Sequence, residues 1–179
     1  MPLNEKKRRF IQIYTGNGKG KTTAAMGQAI RAAGQGMQIL IIMFMKSYQY
    51  SELTALERFA DRIKIERYGD DEFVLKKQPP SEEDLNTARR GLDSARRAMI
   101  AKKFDLIILD EICVAAYFKL VDPKQITELL NDKPEDVELI LTGRYCPQQW
   151  IEKADLVTEM REIKHYYQKG ILARRGFDS

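Results

Sequence analysis

Apolar residues along this chain recur with two alternating periods. Compact runs at 10–15, 38–45, 63–67, 106–109 and 137–141 have the length and the β-branched or leucine-rich character of strands. The run from Ile39 to Met45 contains no polar residue, which predicts a strand buried on both faces. Between these runs lie helical segments. Residues 21–33 are alanine-rich and are stopped by Gly34 and Gly36. Residues 52–60 are helical by composition. The clearest helix begins after Ser81, an N-cap, with Asp84 at the capping-box position and Glu82 and Glu83 at the positive dipole end. Its apolar face is Leu85, Ala88, Leu92, Ala95 and Met99, leaving arginines 89, 90, 96 and 97 on a solvated face. Asp122-Pro123 opens a helix running to Leu130, and Pro147 starts another. Residues 156–163 have strand character, and 69–80 is the longest loop. This alternation predicts an α/β fold, a mainly parallel sheet with helices on both faces.

Composition narrows the picture. The 179 residues fit one domain, and 1–9 reads as a basic, flexible tail. A domain of this size buries roughly 70% of its unfolded surface and folds without disulfides or structural metal. The longest apolar run, seven residues, is far below the roughly 20 of a membrane span. The first ten residues lack a signal-peptide core. Two cysteines, Cys113 and Cys146, with no CxxC, exclude a disulfide framework and a cysteine zinc site, and both read as small core residues. The lone His165 excludes a multi-histidine metal centre and reads as a structural side chain. A reducing cytoplasm is the expected location. The net charge of +4 comes largely from Lys6-Lys7-Arg8-Arg9 and Arg174-Arg175. Without interleaved aromatics, these runs read as solvated charge and not as a nucleic-acid site.

The chemistry concentrates in Thr15-Gly16-Asn17-Gly18-Lys19-Gly20-Lys21-Thr22-Thr23, between a predicted strand and a predicted helix. Such a loop turns successive amide N–H groups into one concavity, and the helix end adds its own. Lys21 supplies a point charge between phosphates, and the Thr22 hydroxyl a ligand for Mg²⁺. The usual G-x-x-x-x-G-K-[ST] pattern is not met, since Thr15 occupies its first glycine position. The bland alternative is a glycine-rich turn with a surface lysine. A second signal is the apolar strand ending in Asp110-Glu111, where P-loop proteins hold their metal. A third is Thr142-Gly143-Arg144, directly after a strand, which places Arg144 on the same rim. No N-K-x-D, G-x-G-x-x-G or G-x-S-x-G motif occurs, which argues against a GTPase, a dinucleotide dehydrogenase and an α/β-hydrolase.

Several separated motifs together resemble the ATP:corrinoid adenosyltransferase family. They are Tyr14 to Ala25, Phe44-Met45-Lys46, Leu109-Asp110-Glu111, Leu139 to Arg144, Ala154 to Met160, Lys164-His165 and Ala173 to Asp178. The resemblance implies a RecA-like P-loop NTPase fold, a homodimer, and transfer of the adenosyl group of ATP to the cobalt of a reduced corrinoid with release of triphosphate. It also implies Mg²⁺ or Mn²⁺, a reducing flavin or flavoprotein as electron source, and ATP held with its γ-phosphate end in the loop. On that basis Lys21, Glu111 and Arg144 are the catalytic candidates. Residues 15–23 with Arg144 bind nucleotide, Asn17 holding the ribose, and Thr22, Asp110 and Glu111 hold the metal. Phe73 is the candidate corrinoid wall. Some relatives place a phenylalanine and a tryptophan in that loop, whereas this chain has Phe73-Val74-Leu75, and its single tryptophan is Trp150. The alternatives are a P-loop kinase or ATPase for another small molecule, and a nucleotide-dependent regulatory module.

Overall fold

A computed structural model describes residues 8–48, 50–70 and 79–178. Its strands are β1 (Ile11–Thr15), β2 (Ile39–Phe44), β3 (Ile63–Tyr68), β4 (Leu106–Asp110), β5 (Glu138–Thr142) and β6 (Leu156–Glu159). They form one sheet ordered β3-β2-β4-β5-β1-β6, and every neighbouring pair is parallel. The helices are α1 (Lys21–Gly34), α2 (Ser51–Leu56), α3 (Glu82–Ala101), α4 (Ile112–Tyr117), α5 (Pro123–Asn131) and α6 (Gln148–Ile151). This is an α/β fold of the P-loop kind.

The two-residue period of β2 explains the layering. Leu40, Ile42 and Phe44 pack into a core with α3, α4 and α5, while Ile39, Ile41 and Met43 pack into another with α1. Each such side chain removed from water contributes about 1.5–3 kcal/mol. Helix α3 starts as its sequence specifies: Asp84 N donates to Ser81 Oγ, and Ser81 N donates to the Asp84 carboxylate. Asp122 caps α5 by accepting from Lys124 N. Cys113 is fully buried and Cys146 partly so. His165 Nδ1 accepts from Tyr167 N and begins a short 3₁₀ turn at Tyr166–Lys169.

Three elements differ from the sequence reading. Residues 52–60 divide into α2 and a 3₁₀ turn, Glu57–Phe59. Helix α4 follows β4 immediately, starting from Glu111 in a left-handed conformation (φ 61°) that periodicity does not encode. The last strand ends at Glu159 and does not continue to 163. Its neighbour β1 ends at the paired residue Thr15 and leaves the sheet for the glycine-rich loop, so β6 has no further strand to follow. The N-terminal residues 1–7 and the loop residues 71–78, with Phe73 among them, lie outside the described residues.

Because all strands point one way, their carboxyl ends share a single edge. The turns after β1, β2, β4 and β5 meet there, which is where open parallel sheets bind ligands.

Candidate active site

The glycine-rich loop is clamped from one side by the chain leaving β6. Gly18 N donates to Met160 O at 2.6 Å, and Met160 N donates to Thr15 O at 2.8 Å. A Cβ at Gly18 would stand 2.7 Å from Met160 O, so only glycine fits this approach. Gly20, at φ 115°, then turns the chain into α1 without any side-chain cap. The first amides of α1 are therefore left for a ligand, at the positive end of a helix of 14 residues.

Lys21 is buried and folds back across the loop, its Nζ donating to Gly18 O at 2.7 Å. Burial pulls its pKa below the ordinary lysine value, with Glu111 acting in the other direction. Thr22 reaches across to β4, its Oγ1 donating to Asp110 Oδ1 at 2.9 Å. Asp110 has no exposed surface. The same Oδ1 accepts from Thr142 Oγ1 at 2.7 Å, and Oδ2 accepts from Lys46 Nζ at 2.6 Å. Lys46 also lies 3.2 Å from Thr22 Oγ1. Burial alone would lower the Lys46 pKa, but the charges of Asp110 and Glu111 outweigh it and raise the value. Thr142 in turn accepts from Glu111 N at 2.9 Å, which helps hold Glu111 in its left-handed turn. Such a turn costs a non-glycine residue about 1–3 kcal/mol and persists only where its surroundings enforce it. Burial, followed by the Asp110 charge, raises the Glu111 pKa. Thr15 braces β1 to the turn after β5, its Oγ1 donating to Gly143 O at 2.8 Å.

A cavity of about 860 Å³ opens over this network. Gly18, Lys19, Gly20, Lys21, Thr22, Thr23, Glu111 and Arg144 line it together. Arg144 also borders a second cavity of about 490 Å³, and Asn17 lines that one and not the first. Thr15, Gly16 and Asp110 lie outside both linings, Thr15 and Asp110 as braces beneath the first.

Three features were given no role by sequence reasoning. Lys46 lies directly after the uninterrupted apolar strand, a conspicuous place for a lysine. Thr142 is the polar residue ending β5. The third is the segment after β6, whose Tyr166, Phe177 and Asp178 line the larger cavity. There Lys19 Nζ donates to the carbonyl of Phe177 and pairs with Asp178 at 2.9 Å. Tyr166 OH also donates to Asp178, whose pKa is held far below the usual carboxylate range, first by Tyr166 and then by Lys19. The run Arg174-Arg175-Gly176-Phe177-Asp178 was the available signal, as part of the resemblance.

The model of the family described as "ATP:corrinoid adenosyltransferase BtuR/CobO/CobP" matches residues 7–178. The chain belongs to this family. It is 32% identical over 173 residues to the corrinoid adenosyltransferase of Escherichia coli (strain K12), covering 96% of this chain and 86% of that protein. It is 30% identical over 175 residues to the corrinoid adenosyltransferase CobA of Salmonella typhimurium (strain LT2), covering 97% and 87% of the two chains. It is 28% identical to the corrinoid adenosyltransferase of Pseudomonas aeruginosa over 173 residues, with 96% and 84% covered.

Proposed function

We propose that this protein transfers the 5′-deoxyadenosyl group of ATP to the cobalt(I) of a reduced corrinoid and releases triphosphate. The observation that carries this reading is the shared cavity of Lys21, Thr22, Glu111 and Arg144 over an uncapped helix end, in a member of this family. In the reaction, the cobalt lone pair attacks the ribose 5′-carbon. The C5′–O bond breaks, and its electrons leave with the triphosphate. Cobalt(I) is already a strong nucleophile, so the protein's task is to bind the departing charge, to align the 5′-carbon and to exclude water. Lys21, Arg144 and the loop amides bind the polyphosphate, with Lys19 as a further cation once Asp178 releases it. Asn17, on the neighbouring cavity, holds the ribose.

The donors around Thr22 suit a hard divalent cation: one hydroxyl and the carboxylates of Asp110 and Glu111 are all oxygen ligands. Among the described residues no cluster of three His, Cys, Asp or Glu gathers to hold a metal unaided, so phosphate oxygens and water would complete the shell. Bound there, Mg²⁺ or Mn²⁺ supplies positive charge to the leaving group. The wider reading places the enzyme in the cytoplasm as a homodimer, acting on cobalamin or a precursor such as cob(I)yrinic acid a,c-diamide. Phe73, which lies outside the described residues, is the candidate for the corrinoid side, and a reduced flavin or flavoprotein delivers the electron. No described helix is long and apolar enough to cross a membrane.

The test is to mix protein, ATP, Mg²⁺ and chemically reduced cobalamin, and to follow both products. A photolabile alkylcobalt spectrum with intact triphosphate supports the reading. ADP formation with no cobalt–carbon bond overturns it in favour of a kinase or ATPase.

A further inference from the structure

The Lys46 ammonium occupies the ground between two oxygens assigned above to a metal. It is 2.6 Å from Asp110 Oδ2 and 3.2 Å from Thr22 Oγ1. Asp110 is fully buried, Lys46 is 9% exposed, and the ring of Tyr50 lies 5.1 Å from the ammonium. A carboxylate so enclosed is strongly unfavourable without a counter-ion, and Lys46 provides one from the chain itself. A divalent cation bridging the same two oxygens would meet a like charge at close range, where repulsion is strong. Thr22 and Asp110 therefore do not offer a free metal the site that their chemistry alone describes.

We propose that Lys46 is a resident stand-in for the divalent cation, holding Thr22 and Asp110 together in the nucleotide-free protein and confining metal binding to the metal–nucleotide complex. This rests on reading the loop as the ATP site. Lys46 lines the same cavity as Lys21 and Arg144, so an arriving polyphosphate gives its ammonium a new anionic partner within reach of its flexible stem. Thr22 and Asp110 would then be free to hold a metal arriving with the nucleotide, whose charge would compensate the buried Asp110 carboxylate in place of Lys46. Lys46 is thus a positioning residue. It keeps the Thr22 hydroxyl oriented before substrate arrives, and it makes free Mg²⁺ a poor ligand.

The probe is Mn²⁺ without nucleotide, followed by the electron paramagnetic resonance signal of the free ion. Wild type and Lys46→Arg, which retains the cation, should leave Mn²⁺ free at concentrations where Lys46→Met takes up one equivalent. The Lys46→Met affinity should be tighter by about ten-fold or more. Combining Lys46→Met with Asp110→Asn should abolish that uptake. Equal Mn²⁺ binding by wild type and Lys46→Met overturns the proposal. Should Lys46→Met fail to fold by circular dichroism, Lys46→Gln carries the same comparison without nucleotide: it must bind Mn²⁺ about ten-fold or more tightly than wild type, and equal affinity overturns the idea. Equilibrium dialysis of Mg²⁺–ATP separates the two readings. If wild type retains no ATP, the nucleotide-site reading fails. If it retains ATP while free Mn²⁺ binds equally to wild type and Lys46→Met, only the present proposal fails.

Discussion

Replacing Asp110 with alanine removes the common acceptor of two hydroxyls and an ammonium, all held at 2.6–2.9 Å. The lost carboxylate has no exposed surface, and its partner Lys46 is itself buried. Among the described residues, what remains is an ammonium stripped of its ion pair, together with two hydroxyl groups that must find new acceptors. Truncating one partner of a buried charge pair in this way costs about 3–5 kcal/mol, chiefly because the surviving charge stays desolvated. That is a large share of the 5–15 kcal/mol by which domains are typically stable. At about 2–4 °C per kcal/mol for a chain of this length, the melting temperature should fall by roughly 6–20 °C. Asp110→Asn keeps the shape and one acceptor oxygen, so its loss should be clearly smaller. The measurement is thermal unfolding at pH 7 without nucleotide, followed by circular dichroism and checked by urea midpoints with their m-values. A drop below about 2 °C for the alanine variant would refute the reasoning, since it would mean that Lys46 reaches water at little cost once released.

Other consequences can be checked separately. Lys21→Ala deletes the buried cation of the loop and should weaken ATP binding by roughly ten- to a hundred-fold, the value of a charge-assisted hydrogen bond; unchanged affinity in calorimetry would remove Lys21 from the site. Gly18→Ala pushes a methyl group to 2.7 Å from Met160 O, so it should cost about 1–3 kcal/mol in urea unfolding and weaken ATP binding alongside. A fully stable variant would mean that the chain after β6 yields freely. Burial pushes the Glu66 carboxyl up, but hydrogen bonds from Lys64, Ser94 and Tyr68 at 2.7, 2.5 and 3.0 Å outweigh it and hold its pKa below 4.5. Its stabilisation is therefore present above the unfolded value near 4.5 and is lost as pH falls through the lower folded value. Glu66→Gln should flatten the acid limb of the urea-midpoint profile below pH 4.5, and an unaltered limb would show that Glu66 does not contribute to it.

The architecture was legible in the sequence because it rests on local and periodic signals. Ser81 with Asp84, and Asp122 with Pro123, announce their helices through capping chemistry that acts over three residues. The unbroken run in β2 announces a strand covered on both faces. The loop from Thr15 to Thr23 could be located because glycines, lysine and threonine in that order serve a backbone geometry as well as a ligand. The missed features depend on meetings across the sheet. Lys46 and Asp110 are 64 positions apart and touch because β2 and β4 are neighbours in register, Met43 beside Asp110. Helix α4 was missed because it starts from a non-glycine residue in the left-handed region, which tertiary contacts impose. The placement of Asn17 on a different cavity from Lys21 likewise depends on how a tight loop exposes its successive side chains, which spacing does not state.

These cross-sheet meetings bear on the proposed chemistry. A leaving triphosphate concentrates charge in one place, and groups fixed before it arrives stabilise it without paying for reorganisation during the reaction. Asp110 contributes to such order although it lies outside the cavity lining: through Thr22 it orients one side of the loop, and through Thr142 it reaches Glu111. Thr15 ties the same loop to the turn that bears Arg144. Thr22, Glu111 and the turn bearing Arg144 are thus each braced by another strand's end. A substitution beneath the cavity should therefore disturb binding by disordering the residues above it, while a substitution of Arg144, exposed on the rim, removes charge and leaves the rest in place. Comparing Asp110→Asn with an Arg144 variant distinguishes these two kinds of loss. The first should lower both melting temperature and ATP affinity, and the second ATP affinity alone. Loss of stability on removing Arg144 would show that the rim and the brace are not separate.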